Sequence, residues 1–387
     1  MIAASDFLAA CRRRGLTFFT GTPDTYLGPL IDAVAGDAWL TYWVATNEGD
    51  AVAMAAGAYV ATGRPGVALF QNSGLGNAVN ALTSLCHPFR IPMLLVVSHR
   101  GRPGGLPDEP QHRLMGEITT RLLDLIRVAS EPFPPWTSEI DNALGRALDH
   151  IERASLPYAF VLAGDSVAAV APRARPERAP IGARVLSFAE ALERADGERP
   201  ARAEALAVLR AAASPDDVIV ATTGYTGREL YALGDAVNQF YVVGSMGGAC
   251  PFGLGLAMHR PERRVFVADG DGAVLMRMGN LASVGAFAPG NLLHLVLDNE
   301  AHDSTGGQAT LSRGVSFGAI ARACGYRWAA GTDSVAELRP LLDRHTTTSG
   351  PGLVHLRIRT GTLPGLIRPA VTPPDVRRRL MRHLGSG

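Results

Sequence analysis

The chain has little cysteine. Its 387 residues carry four, Cys11, Cys86, Cys250 and Cys324, scattered with no CxxC pair. They read as reduced, buried small residues of a cytoplasmic protein. No stretch approaches the roughly eighteen uninterrupted apolar residues of a membrane span. The start, MIAASDFLAACRRRG, has too short an apolar part, and its charges lie on the wrong side, for a signal peptide. Excess charge is missing too: 37 basic against 36 acidic residues leave a net charge of +1, so no global field favours nucleic acid. The basic run Val376–His383 reads as a solvated helix face. A complete dinucleotide fingerprint is also absent. Gly74 and Gly76 follow a strand-like run, but Asn77-Ala78-Val79 fills the third glycine position, and no acidic residue ends Leu95–Ser98. That argues against a nicotinamide site. Asn72 and Ser73 at the strand end are expected instead to line an active cleft.

What remains suits a two-core globular protein: 47% hydrophobic residues and 43 glycines. The first half alternates apolar runs (Leu16–Phe19, Leu40–Ala45, Gly66–Phe70, Ile91–Ser98) with helical stretches (Ala4–Arg14, Tyr26–Val34, Asp50–Ala61, Asn77–Leu85). The alternation predicts a doubly wound parallel sheet. Composition shifts to Pro, Arg and Glu between Pro172 and Pro200, which predicts a linker with a short helix at Phe188–Arg194. Alternation resumes at Ala201. The expected organisation is two α/β domains, 1–171 and 201–387, with no sequence repeat between them.

The richest stretch is Gly270-Asp271-Gly272 followed, after twenty-five residues, by Asp298-Asn299. Apolar runs end at both landmarks, and Val274–Phe287 has helical length, so this is a βαβ unit. Asp271 and Asn299 then sit at the carboxyl ends of two parallel strands, where open sheets bind ligands. An acidic and an amide oxygen, with the main-chain carbonyl of Ala301, can hold a hard divalent cation such as Mg²⁺ against a diphosphate. Thr222-Thr223-Gly224 lies between a strand and a helix and can cradle phosphate. Arg228, four residues beyond Gly224, offers a fork to an anionic substrate. Glu48 lies where a strand hands over to a helix; alone, it is also an ordinary helix-capping residue. Met246, in a Gly-rich turn, could equally be a core methionine.

Together these motifs resemble the thiamine-diphosphate enzymes of the phosphonopyruvate and sulfopyruvate decarboxylase family. The likeness runs through Phe18–Asp24, Asn47-Glu48-Gly49, Gln71–Asn77, Asp108–His112, Thr222-Thr223-Gly224, Val243–Gly247, the Gly270–Asn299 stretch and His302–Gln308. It implies a pyrimidine-binding domain followed by a diphosphate-binding domain, with thiamine diphosphate and Mg²⁺ as cofactors. Glu48 would activate the aminopyrimidine. Met246 would prop the cofactor in a bent shape, and the Gly244 carbonyl would accept from its amino group. Asn72, Thr222, Thr223, Gly224, Gly270, Asp271, Gly272 and Asn299 would complete the cofactor contacts.

The implied reaction is decarboxylation of 3-phosphonopyruvate, a small anionic 2-oxo acid, to phosphonoacetaldehyde; alternatives are sulfopyruvate, another 3-substituted pyruvate, or carboligation. The second anionic group would need cations, for which Arg100, His112, Arg228 and His302 are the candidates; Asp24 would also line the substrate site, and His112 or His302 could move protons. The implied assembly is a homodimer, or a larger even homo-oligomer, with active sites at the subunit interface. The chain departs from the family pattern at Tyr225, Gly248, Cys250-Pro251-Phe252, Asp298 and Glu300. Asp24 points to the phosphonopyruvate branch.

Overall fold

A computed structural model of the protein describes residues 1–169 and 199–387. The helix expected at Phe188–Arg194, and the expected linker up to residue 198, lie outside the described residues. The chain divides into two compact units, Met1–Gly182 and Ala183–Gly387.

In the first unit the four apolar runs become β1 (Phe18–Gly21), β2 (Thr41–Val44), β3 (Val67–Gln71) and β4 (Leu94–Ser98), and two further strands join them, β5 (Ala129–Pro132) and β6 (Tyr158–Leu162). They pair in parallel in the order β2-β1-β3-β4-β6-β5. β3 and β4 are buried almost throughout, as central strands covered on both faces must be. Helix Ala4–Arg13 turns Phe7, Leu8 and Cys11 into a cluster with Phe19, Phe133 and Phe160. Helix Glu48–Thr62 is alanine-rich and buried on nearly every side. Its start is fixed by the Asn47 side chain, which accepts from the Asp50 N–H at 3.0 Å.

The second unit contains β7 (Val218–Ala221), β8 (Gln239–Tyr241), β9 (Val265–Gly270), β10 (Leu292–Asp298), a small antiparallel hairpin of β11 (Ala301–His302) and β12 (Gln308–Ala309), then β13 (Trp328–Thr332) and β14 (Gly352–Arg357). The main sheet is parallel, in the order β13-β14-β10-β9-β7-β8. Ranked by position in the chain, its strands read 2-1-3-4-6-5 from the β8 edge, the same order as the first sheet. In both sheets the winding reverses between first and third strands, β1/β3 and β7/β9. Crevices for ligands open there, beyond the carboxyl ends.

Two expectations change. The single helix expected over Val274–Phe287 is two, Asp271–Met276 and Asn280–Phe287, parted at Arg277–Gly279, where arginine leaves helical geometry and glycine supports it poorly. The basic run near the C-terminus is not a wholly solvated face. In helix Pro373–Leu384, Arg377 is buried, and Arg379 pairs with Asp235 at 2.5 Å above the Tyr241 ring. The four cysteines are free; three are buried and Cys324 is half-buried. Among the described residues, no helix is long and apolar enough to cross a membrane.

Candidate active site

At the β7/β9 switch point a cavity of about 110 Å³ gathers most of the second-unit residues expected there. The turn after β7 brings Thr222, Thr223 and Gly224. Gly224 has φ +91°, a backbone state that side chains rarely adopt, and from it helix Tyr225–Ala232 starts. The turn after β8 brings Met246, between Ser245 and Gly247, both at positive φ. The end of β9 brings Gly270, Asp271 and Gly272; the connection after β10 brings Asn299, Ala301 and His302. A Cβ at Gly272 would lie 2.5 Å from His302 Cε1 and 3.2 Å from Met246 Cε, so the missing side chain lets both groups close over this turn. Gly244 stands in the same turn as Met246 but does not line the cavity.

Polar groups here suit a cation and an anion. Asp271 is 2% exposed, and its carboxylate accepts from the Thr310 hydroxyl. Burial and the neighbouring Asp298 push its pKa up, against the Thr310 and Ser312 hydroxyls. Asp298 is opposite: burial disfavours its charge, but His355 Nε2 at 2.8 Å and the Ser312 hydroxyl at 2.8 Å hold its pKa down. Asp271 is thus a buried carboxylate without a cationic partner among the described residues, which a divalent ion would supply. Asn299 and the Ala301 carbonyl are the neutral oxygens beside it. The Thr222 hydroxyl is buried without a hydrogen-bond partner, as a phosphate-facing donor would be. The residues present therefore fit a metal–diphosphate group.

Arg228 stands apart from this cavity. It lines a neighbouring one of about 420 Å³, and its guanidinium donates to the carbonyls of Leu366 (2.5 Å) and Ile367 (3.3 Å). Arg202, unforeseen from the sequence, does line the first cavity. The chain contains no lysine, so all 37 permanently cationic side chains are arginine. Tyr225 lies under the guanidinium groups of Arg202 (5.8 Å) and Arg228 (5.4 Å).

In the first unit, Glu48 opens its helix at the β1/β3 switch point. One carboxylate oxygen accepts from the Thr22 hydroxyl at 2.9 Å, the other from Asn77 Nδ2 at 2.7 Å. A Cβ at Gly74 would fall 2.3 Å from the Glu48 carboxyl carbon. Asn72 is fully buried, and its amide donates to the Arg100 carbonyl and the Thr119 hydroxyl, both at 2.9 Å.

Beyond β4, Asp108 organises the other candidates. It accepts from Arg100 at 2.8 and 2.6 Å, from His112 Nδ1 at 2.8 Å, and from the N–H groups of Gly101 and Glu109. Arg100 beside it, then His112 and these N–H groups, hold its carboxyl far below the usual carboxylate range. Arg100 also reaches Asp24 at 3.5 Å and lies 4.7 Å above the Tyr26 ring. The structure thus brings Asp24, Arg100 and His112 into one cluster around a carboxylate that the sequence alone did not mark as its centre. Spacing held the clue: Asp108 lies four residues before His112, at the end of a Gly/Pro-rich loop.

Comparisons with known proteins identify the family. Residues 1–120 match the family model described as thiamine pyrophosphate enzyme, N-terminal TPP binding domain. Residues 223–356 match the corresponding C-terminal TPP binding domain. The chain is 48% identical to phosphonopyruvate decarboxylase of Streptomyces viridochromogenes, over 98% of this chain and 94% of that protein. It is 45% identical to the phosphonopyruvate decarboxylase of Streptomyces hygroscopicus, over 98% and 93%. Among solved structures, benzoylformate decarboxylase from Polynucleobacter necessarius superposes with a TM-score of 0.73 at 12% identity, covering 94% of this chain and all of that one, a likeness of fold.

Proposed function

The chain belongs to the thiamine pyrophosphate enzymes, in the family of the phosphonopyruvate decarboxylases, and on that premise we propose that it decarboxylates 3-phosphonopyruvate to phosphonoacetaldehyde and CO₂. The observation that carries this reading is that one chain holds both a Glu48 clamped through each oxygen and the Asp271–Asn299 cavity. A non-catalytic partner subunit would have no need of both. Thiamine diphosphate, when bound, supplies the electron sink that lets the carboxylate leave as CO₂.

The chain's own groups would do the rest. Asp271, Asn299 and the Ala301 carbonyl hold Mg²⁺; Thr222, Thr223, Gly224, Gly270 and Gly272 wrap the diphosphate. Met246 props the cofactor, and the Gly244 carbonyl and Asn72 contribute further contacts. Glu48 holds a proton toward the aminopyrimidine, its carboxyl fixed by Thr22 and Asn77. Arg100 spends three of its five N–H donors on Asp108 and Asp24. The remaining two can face a phosphonate. His112, with Nδ1 held on Asp108, keeps Nε2 for substrate or proton. His302, packed over Gly272, is the second proton carrier. Arg228 would serve the substrate only from the adjoining cavity.

Each unit carries one part of this equipment, which supports a homodimer or larger even assembly in which units of different copies complete each site. Exposed apolar residues flank both groups of residues, Leu106 and Leu114 in the first unit and Met276 and Met278 in the second.

The test supplies purified protein with thiamine diphosphate and Mg²⁺ and follows CO₂ and aldehyde from phosphonopyruvate, sulfopyruvate and pyruvate in parallel. Fastest turnover of phosphonopyruvate is expected. No turnover of it, or preference for sulfopyruvate, contradicts the assignment. A condensed hydroxyketone formed with added aldehyde would mark a carboligase instead.

A further inference from the structure

We infer that Asp303 is a positioning residue that fixes which way the Asn299 amide faces, so that its oxygen, and not its nitrogen, is offered to the cation. The inference rests on the metal role proposed for Asn299. Asp303 lies in the short turn after β11, and its Oδ2 is 2.6 Å from the terminal nitrogen of Asn299. A carboxylate only accepts, so the amide atom that meets it at this distance must be the N–H₂ group. The reversed amide would press oxygen against oxygen. The choice therefore follows from chemistry and not from how the two amide atoms are assigned.

Asp303 is itself held. Its Oδ2 accepts from Arg202 Nη2 at 2.8 Å and from the Gly361 N–H at 3.0 Å. Arg202 is 6% exposed, also donates to the Gly361 carbonyl at 3.1 Å, and lies 3.6 Å from Glu229. Glu229 in turn accepts from the Thr362 hydroxyl at 2.7 Å and the Leu363 N–H at 3.0 Å. The turn that aims Asn299 is thus anchored to the segment after β14 by a buried ionic network. With Oδ1 turned away from Asp303, Asn299 accepts there, among the described residues, from the Ala301 N–H alone, at 3.3 Å, and keeps acceptor capacity for a cation. Outer partners that orient metal ligands are typically worth about 10–100-fold in metal affinity.

The test titrates Mn²⁺ into full-length protein saturated with thiamine diphosphate and counts free Mn²⁺ by electron paramagnetic resonance. It compares wild type, Asp303→Leu, Asn299→Asp and the double variant; leucine keeps the bulk of Asp303 but offers no acceptor to the Asn299 amide. The expected loss for Asp303→Leu is about 10–100-fold in the Asn299 background. No such loss is expected in the Asn299→Asp background, because a carboxylate presents oxygen whichever way it turns and is freed of the neighbouring Asp303 charge. Unchanged affinity on Asp303→Leu, or equal losses in both backgrounds, overturns the inference. A wild type that binds no Mn²⁺ defeats instead the proposed metal site itself. Should a variant fail to fold or bind, wild-type protein labelled with ¹⁵N-asparagine decides: the Asn299 side-chain amide should exchange slowly in cation-free protein, and exchange at the solvent rate overturns the inference.

Discussion

The two units share one strand order and use it differently. In each, the turns after the first three strands and the long connection after the fourth carry the candidate site residues. In the first unit those places hold Thr22 and Asp24, Glu48, Asn72 and Asn77, then Arg100, Asp108 and His112. In the second they hold Thr222–Gly224, Met246, Asp271, then Asn299, His302 and Asp303. The helix after the second strand is buried all round in both, Glu48–Thr62 and Ala249–His259. One begins with an acid, the other follows a turn that presents methionine. The fold supplies the crevice, and the turns decide what enters it.

The sharper difference is electrostatic. Asp108 in the first unit is saturated with donors, one of them an arginine, and its pKa is held down. Asp271 in the second has hydroxyl partners and a carboxylate neighbour, and its pKa is pushed up. The first cluster is complete within the chain; the second calls for a cation from outside.

The strongest way to break this division of labour is Glu48→Gln. Turnover should fall by about 10²–10⁴-fold, the usual worth of a positioned acid or base. Near wild-type turnover would remove Glu48 from its role.

Asp108→Ala comes next. Removing one partner of a buried pair typically costs about 3–5 kcal/mol. Thermal melting of the variant should therefore drop by well over 5 °C. A change within about 1 °C would show that the cluster is not the tightly paired group described.

A smaller loss is expected of Gly272→Ala, whose Cβ would meet His302 at 2.5 Å. Overpacking of this kind costs roughly 1–3 kcal/mol, read as weaker thiamine diphosphate binding by calorimetry. Unchanged binding would mean that His302 swings away freely.

The smallest effect concerns Asp271 and pH. Its raised folded pKa means that its contribution to stability is fully present below the unfolded carboxylate value and is lost as pH rises through the folded one. Cation-free Asp271→Asn should therefore match wild type in acid and melt higher near neutrality, by roughly 2–4 °C per kcal/mol gained. A variant that melts lower at neutral pH would place Asp271 in a stabilising pair instead.

Much of this was legible in the sequence where it is local. The runs at Val67–Phe70 and Leu292–Leu297 announce central strands, because burial on both faces leaves no room for polar alternation. Gly270-Asp271-Gly272 and Asn299 mark the cavity because each needs only its own strand end. β5 was not legible, since Ala-Ser-Glu-Pro carries no strand pattern. The partners that tune the site come from far along the chain: Thr310 lies 39 residues from Asp271, His355 lies 57 from Asp298, and Asp303 lies 101 from Arg202. Pairings at such separations are made by the fold. The common strand order was hidden too, because the same topology tolerates unrelated side chains wherever they are merely apolar.

The most direct test of the division between the units is thiamine diphosphate binding, by calorimetry with Mg²⁺ present, in Glu48→Gln and Asp271→Asn side by side. Glu48→Gln should bind within a few-fold of wild type while failing to turn over substrate, and Asp271→Asn should lose binding. Lost binding in Glu48→Gln with binding kept in Asp271→Asn would contradict the account.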